Sequence, residues 1–136
     1  MVNKIKVKKL DKDAIMPEYS KNCDIAFDIR SNEFRSLKSL EIKEIRTGLA
    51  IEIPEGYVGL IRDRFGIATK IGLHVIAGTI DSSYREELTV VMTNFAVDEY
   101  EIEKGMKIAQ IVIVPVNKLD IEEVNQLSES ERNIKK

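Results

Sequence analysis

The chain of 136 residues has no tryptophan, one cysteine, one histidine and three prolines, and each scarcity closes off a class of chemistry. Cys23 alone cannot form an internal disulfide or a cysteine-rich zinc centre, and it reads as a small buried thiol. His74 alone supports neither a multi-histidine metal site nor a convincing Ser-His-Asp triad, and it reads as a polar residue on the side of a strand. No apolar run approaches the length needed to span a membrane, and MVNKIKVKKL lacks the apolar centre of a signal peptide, so the expectation is a soluble cytoplasmic domain. Charge of one sign is also missing. With 21 basic and 23 acidic residues, net −2, no basic stripe advertises a nucleic-acid partner. A small anionic ligand stays open, because it needs only a few placed cations and amides. There are no repeats, linkers or low-complexity tracts, and the length suits one domain, 1–136, with a core of its own.

What is present is a succession of short β-forming runs with turn residues between them. Strands are expected at 5–10 (an edge, given its lysines), 25–30, 41–53 with a break near Thr47-Gly48, 57–61, 71–76, 88–94, 98–103 and 108–116. Pro54-Glu55-Gly56 marks a turn. The polar stretch 62–68 has room for a single helical turn. Leu119, Glu122, Glu123 and Leu127 have helical spacing, so a short helix is expected at 119–127, and 128–136 reads as a mobile polar tail. The pattern as a whole predicts an all-β domain.

The stretch AGTIDSSYREELTVVMTN, residues 77–94, is the best site candidate. It reads as a hairpin whose turn holds an acid, Asp81, three residues before an aromatic hydroxyl, Tyr84. Three more polar residues sit where a scaffold has no need of them: Asp28 between Phe27 and Ile29, Arg64 after a strand, and Gln110 inside an apolar strand. A buried charge without a partner costs several kcal/mol, roughly, so each must be paired, hydrogen-bonded or turned to a cavity. Two readings are open. Asp28 and Arg64 form a structural ion pair while Gln110 satisfies a backbone group; or all gather on an anionic ligand, with Arg64 and Gln110 donating to phosphate oxygens and the acids holding a Mg²⁺ hydration shell or a water.

In order and spacing these segments resemble the motifs of the trimeric all-β dUTPase family, which also contains the dCTP deaminases. IAFDIRS (25–31) is similar to the first motif, whose acid, here Asp28, helps hold through water the magnesium that rides on the triphosphate. DRFGIA (63–68) resembles the second, a phosphate-binding turn with Arg64, Phe65 and Gly66 at matching places. AGTIDSSYREE (77–87) resembles the third and most specific. The resemblance implies that Asp81 activates the attacking water, that the backbone around Gly78 and Ile80 reads the uracil edge, and that Tyr84 packs on the deoxyribose. GMKIAQI (105–111) resembles the fourth, with Gln110 on the phosphates. Ser130-Glu131-Arg132 resembles the start of a fifth, with Arg132 a γ-phosphate ligand. A distorted β-barrel or jelly roll is implied, as a homotrimer with shared active sites, in which Mg²⁺-dependent hydrolysis turns dUTP into dUMP and pyrophosphate.

The sequence also departs from the family pattern. Phe65 stands where the second motif has a phosphate-contacting serine, Met106 and Lys107 replace an acid and an arginine, Ser83 an aspartate and Glu86 a glycine. The glycine-rich remainder of the fifth motif does not follow Arg132, which reads as a tail with more to come rather than a natural end. Phe65 motivates an alternative, a dUTPase-like nucleotide-binding or regulatory protein with weak turnover. A dCTP deaminase is less favoured, because Val91 occupies the place of that family's catalytic glutamate.

Overall fold

Alternating, β-branched stretches separated by turn residues form ten short strands in the computed structural model, which describes residues 4–21 and 24–134. The expectation for Cys23 falls outside these residues. β1 (Lys6–Lys9), β4 (Ile42–Glu52), β8 (Glu87–Asn94) and β6 (Leu73–Val75) make one antiparallel sheet in the order β1-β4-β8-β6. β2 (Ala26–Arg30), β10 (Lys107–Pro115), β5 (Tyr57–Arg62) and β7 (Thr79–Ile80) make a second, ordered β2-β10-β5-β7. β3 (Arg35–Leu37) pairs with β9 (Tyr100–Ile102). The only helices among the described residues are α1 (Phe65–Lys70) and α2 (Glu131–Ile134). The domain is all-β, as the alternation predicts, and the sheets do not close into a barrel. No helix among the described residues is long and apolar enough to cross a membrane.

Isoleucines carry the core. Ile29, Ile45, Ile102, Ile108 and Ile111 are fully buried, joined by Leu37, Val90 and Met92. β-branched side chains from facing sheets pack together there, with Phe27 the one buried aromatic among the described residues. The break expected in β4 is a register shift between Arg46 and Ala50. There Gly48 turns to φ +70° and its N–H donates to Glu87 Oε2 at 2.9 Å, while Thr47 Oγ1 donates to Leu88 O at 2.6 Å. The bulge bends one long strand rather than ending it.

Two expectations fail. Residues 116–130 hold no helix: Leu119, Ile121 and Leu127 stand exposed on an irregular segment, Ile121 at 99 %, and the helical turn falls at α2 instead. The stripe there is too thin to bury a helix against the domain, and spacing alone does not stabilise so short a helix. The stretch after Ala77 is also no simple hairpin. β7 pairs with β5, and β8 pairs with β4 and β6, so the Asp81–Tyr84 turn carries the chain from one sheet to the other.

Candidate active site

β2 and β10 lie side by side with Asp28 opposite Gln110, and Gln110 is also opposite Arg62 of β5, whose end leads into Arg64. That register gathers Asp28, Arg64 and Gln110 on one open cleft of about 530 Å³, lined as well by Ser20, Lys21, Asp24, Ile25, Phe65 and Gly66. Asp28 is only 8 % exposed. Its Oδ1 accepts from Arg64 Nε at 3.1 Å; its Oδ2 accepts from Ser20 Oγ at 2.7 Å and pairs with Lys107 Nζ at 3.3 Å. Burial pushes this carboxyl up, but the hydrogen bonds from Ser20 and Lys107 and the charges of Arg64 and Lys107 outweigh it and hold Asp28 below its ordinary value.

The ion pair read as the structural alternative is therefore real, and so is the backbone role of Gln110, whose Nε2 donates to Asp63 O at 3.0 Å. Neither use exhausts the residue. A guanidinium has five N–H donors and an amide two, so Arg64 and Gln110 keep donors for an anion in the cleft. A carboxylate offers about four lone-pair sites; with three filled, Asp28 has one to spare for a water. Among the described residues no cluster of three or more His, Cys, Asp or Glu side chains forms a cage for a metal ion. The donor set fits Mg²⁺ carried on a substrate's phosphates, since this ion keeps several waters and needs few protein ligands.

Phe65 opens α1, and its ring is 83 % exposed at the cleft's edge. No side chain caps this helix turn, and a Cβ added to Gly66 would meet nothing within 4 Å. Space around Gly66 is thus left by the chain's own packing.

The third motif lies elsewhere. Gly78, Ile80 and Tyr84 line a smaller cleft of about 170 Å³ together with Ile61, Leu88 and Val91. Ala77 and Gly78 have φ +63° and +116°; Gly78 O accepts from Ile61 N–H at 2.8 Å, and a Cβ on Gly78 would fall 2.8 Å from Ile61 Cβ. Only glycine permits that approach. Tyr84 donates its hydroxyl to Glu87 O at 2.7 Å, and burial, then the nearby Glu86, Glu44 and Glu87, pushes its ionisation up, so the ring is held as a neutral phenol. Asp81 is exposed, and its carboxylate holds no hydrogen bond or ion pair among the described residues. Arg132 is exposed on α2 and lines neither cleft.

β2 and β7 are the two edges of their sheet, so three strand spacings of about 4.8 Å put roughly 14 Å between them. Asp81 also lies beyond Ile80, which is opposite Gly59, whereas Arg64 follows Arg62 at the other end of β5. Within one chain the two motifs do not meet.

The sequence model of the dUTPase family matches residues 12–135. The chain belongs to the dUTPase family. A relative from Clostridium tetani (strain Massachusetts / E88), a deoxyuridine 5′-triphosphate nucleotidohydrolase, is 42 % identical over 130 residues, 94 % of this chain and 90 % of that one. A dUTPase of Staphylococcus bacteriophage 80alpha, solved as a mutant with dUpNHpp, superposes with a TM-score of 0.92 at 34 % identity, over 96 % of this chain and 94 % of that one. A mutant dUTPase from phage phi11 of S. aureus, whose structure describes coordination of a structural Mg(II) ion, has a TM-score of 0.88 at 31 % identity, over 93 % of this chain and all of that one.

Sequence reasoning missed Ser20 and Lys107 as partners of Asp28, and the pair Asp63 and His74, whose Oδ2 and Nδ1 lie 2.5 Å apart. Lys107 had a signal, a cation three residues before Gln110 at the start of an apolar strand. Ser20 had none, because its loop is irregular. Val91, on the wall of the smaller cleft, is apolar and supplies no carboxylate for deamination.

Proposed function

We propose that this chain is a dUTP pyrophosphatase that hydrolyses dUTP to dUMP and pyrophosphate with Mg²⁺, in sites shared between copies of a homotrimer. The observation that carries the reading is the convergence of Asp28, Arg64, Gly66 and Gln110 on one cleft while a glycine-dependent turn and Tyr84 build a second. Arg64, Lys107 and the free amide hydrogen of Gln110 hold the triphosphate. Asp28 would hold, through water, a Mg²⁺ carried on the phosphates, and that ion would supply charge neutralisation. The backbone at Gly78 and Ile80 reads the pyrimidine edge, and Tyr84 stacks under the sugar and leaves no room for a 2′-hydroxyl.

Asp81, free of protein partners, takes the proton of a water that attacks the α-phosphorus. The P–O bond to the β-phosphate breaks and pyrophosphate leaves. Positioning and electrostatics supply the rate, with no covalent intermediate on the protein. Since a base must stand about 3 Å from the water it activates, Asp81 of one copy serves the phosphate cleft of another. We read residues 1–136 as one such domain, in which Arg132 is a γ-phosphate ligand. A cytoplasmic location belongs to the same reading.

Phe65 favours a second reading, a nucleotide-binding or regulatory protein with slow turnover, because an exposed phenyl ring at the cleft's edge offers no donor to phosphate. Pyrophosphate release from dUTP, dTTP and UTP with Mg²⁺ separates the two. Hydrolysis of dUTP in preference to the other nucleotides supports the enzyme; tight binding of dUTP without release supports the module.

A further inference from the structure

Asp63 touches three strands' worth of structure at the entrance to the phosphate turn. Its backbone continues β5 into Arg64, its carbonyl accepts from Gln110 Nε2 of β10 at 3.0 Å, and its carboxylate crosses to β6 of the opposite sheet. There Oδ1 accepts from Val75 N–H at 2.6 Å and Oδ2 lies 2.5 Å from His74 Nδ1. The His74 ring is fixed in turn, stacked on Phe95 with centroids 5.7 Å apart and planes 27° from parallel. We infer that Asp63 and His74 form a positioning clasp that ties the phosphate turn to β6 and so sets Arg64 and Gln110 for the triphosphate, an inference that rests on the hydrolase reading above.

The placement argues for positioning rather than plain support. The loop from β5 through α1 to β6 carries the chain from one sheet to the other, and α1 buries a single residue, Ile67. So short a helix has little packing with which to fix its own orientation. The Asp63 carboxylate closes the loop across 11 and 12 residues. Two acceptor bonds on one carboxylate determine its plane, and with it the backbone direction on which Arg64 leaves β5. The Gln110 amide, bonded to the same residue, is oriented at the same time. β6 then runs on through Ile76 to the Ala77-Gly78 turn, so the clasp joins the segment carrying Arg64 to the segment that precedes the nucleobase turn. Asp63 itself touches no proposed substrate atom.

The test uses the full chain with Asp63→Ala, Asp63→Asn and His74→Gln, measuring kcat and KM for pyrophosphate release from dUTP, the thermal midpoint, and the affinity for inorganic triphosphate by calorimetry. Asn keeps an acceptor for Val75 N–H and an amide facing His74. A misplaced turn costs on the order of 10²-fold in kcat, so Asp63→Ala is expected to lose about that much with KM changed by no more than about threefold, and to bind triphosphate about tenfold more weakly. Asp63→Asn is expected to recover kcat to within about tenfold of wild type, and His74→Gln to fall between the two. Unchanged kcat in Asp63→Ala overturns the clasp, and so does equal loss in Asp63→Ala and Asp63→Asn. A drop in thermal midpoint with kcat per folded molecule unchanged also overturns it. Should the wild type release no pyrophosphate, the hydrolase reading fails separately. Triphosphate affinity then decides the clasp, a weaker value in Asp63→Ala supporting it and an equal value overturning it.

Discussion

Asp28 couples a buried set of ion pairs to the role proposed for it in the reaction. Its ionisation is depressed from the usual 3.8 by donors that outweigh burial. The folded state therefore holds its proton less tightly than the unfolded state. The stability this contributes is present above the unfolded value and is lost as pH falls through the folded one. Asp28→Asn should cost about 1–3 kcal/mol at neutral pH, since Arg64 and Lys107 then face each other without the shared acid. Chemical denaturation across pH checks the sign: the gap between wild type and Asp28→Asn should be full at pH 6 and narrow below about pH 4. A gap independent of pH contradicts the pairing.

Phe65 is the other residue that decides something. The loss of one transition-state donor costs on the order of 10² to 10³ in rate, so Phe65→Ser should raise kcat by at least about tenfold, measured as pyrophosphate release. Asp28, Arg64 and Gln110 could be picked from the sequence because each breaks a local pattern, and Phe65 because it departs from the motif the segment resembles. Ser20, in an irregular loop, and the Asp63–His74 pair, which joins the two sheets, could not, for such contacts leave no periodic trace.

At the scale of elements, strands were legible where burial alternates or is continuous. β8 and β10 are long and β-branched, and their limits follow from the residues to within about one position. The exposed segment 116–130 was not, because helical spacing without a surface to bury against decides nothing. The pairing of β7 also escaped, since a tight turn between two strand-like runs reads locally as a hairpin whichever neighbour each run takes. The Ala77-Gly78 turn brings the third motif against β5, and it depends on a missing side chain. Gly78→Ala adds a Cβ at φ +116° within 2.8 Å of Ile61 Cβ. It should lower stability by about 1–3 kcal/mol and raise KM for dUTP more than it lowers kcat. Melting curves and steady-state kinetics on one preparation check both; an unaltered KM contradicts the role given to the turn.

At the scale of the molecule, the separation of Asp81 from the Asp28 cleft is the feature with the widest consequence. If every site draws its phosphate ligands from one copy and its base from another, two inactive variants complement each other. Arg64→Ala and Asp81→Asn, unfolded and refolded together in equal amounts, should recover roughly a quarter of wild-type turnover, because a random site has both intact parts about that often. No recovery from a mixture shown to contain mixed oligomers contradicts shared sites. The fold class and the four internal motifs were legible in the sequence; their distribution over two clefts was not, because it depends on which strands end at the sheet's edges.

The central claim, that the chain hydrolyses dUTP through a water activated by Asp81, is tested most directly by single-turnover pyrophosphate release in wild type and Asp81→Asn with Mg²⁺, alongside dUTP binding. General-base loss typically removes a factor of 10² to 10⁴, on the order of magnitude, so the account predicts that Asp81→Asn binds dUTP as wild type does and releases pyrophosphate at least about a hundredfold more slowly. Undiminished release from Asp81→Asn would contradict it.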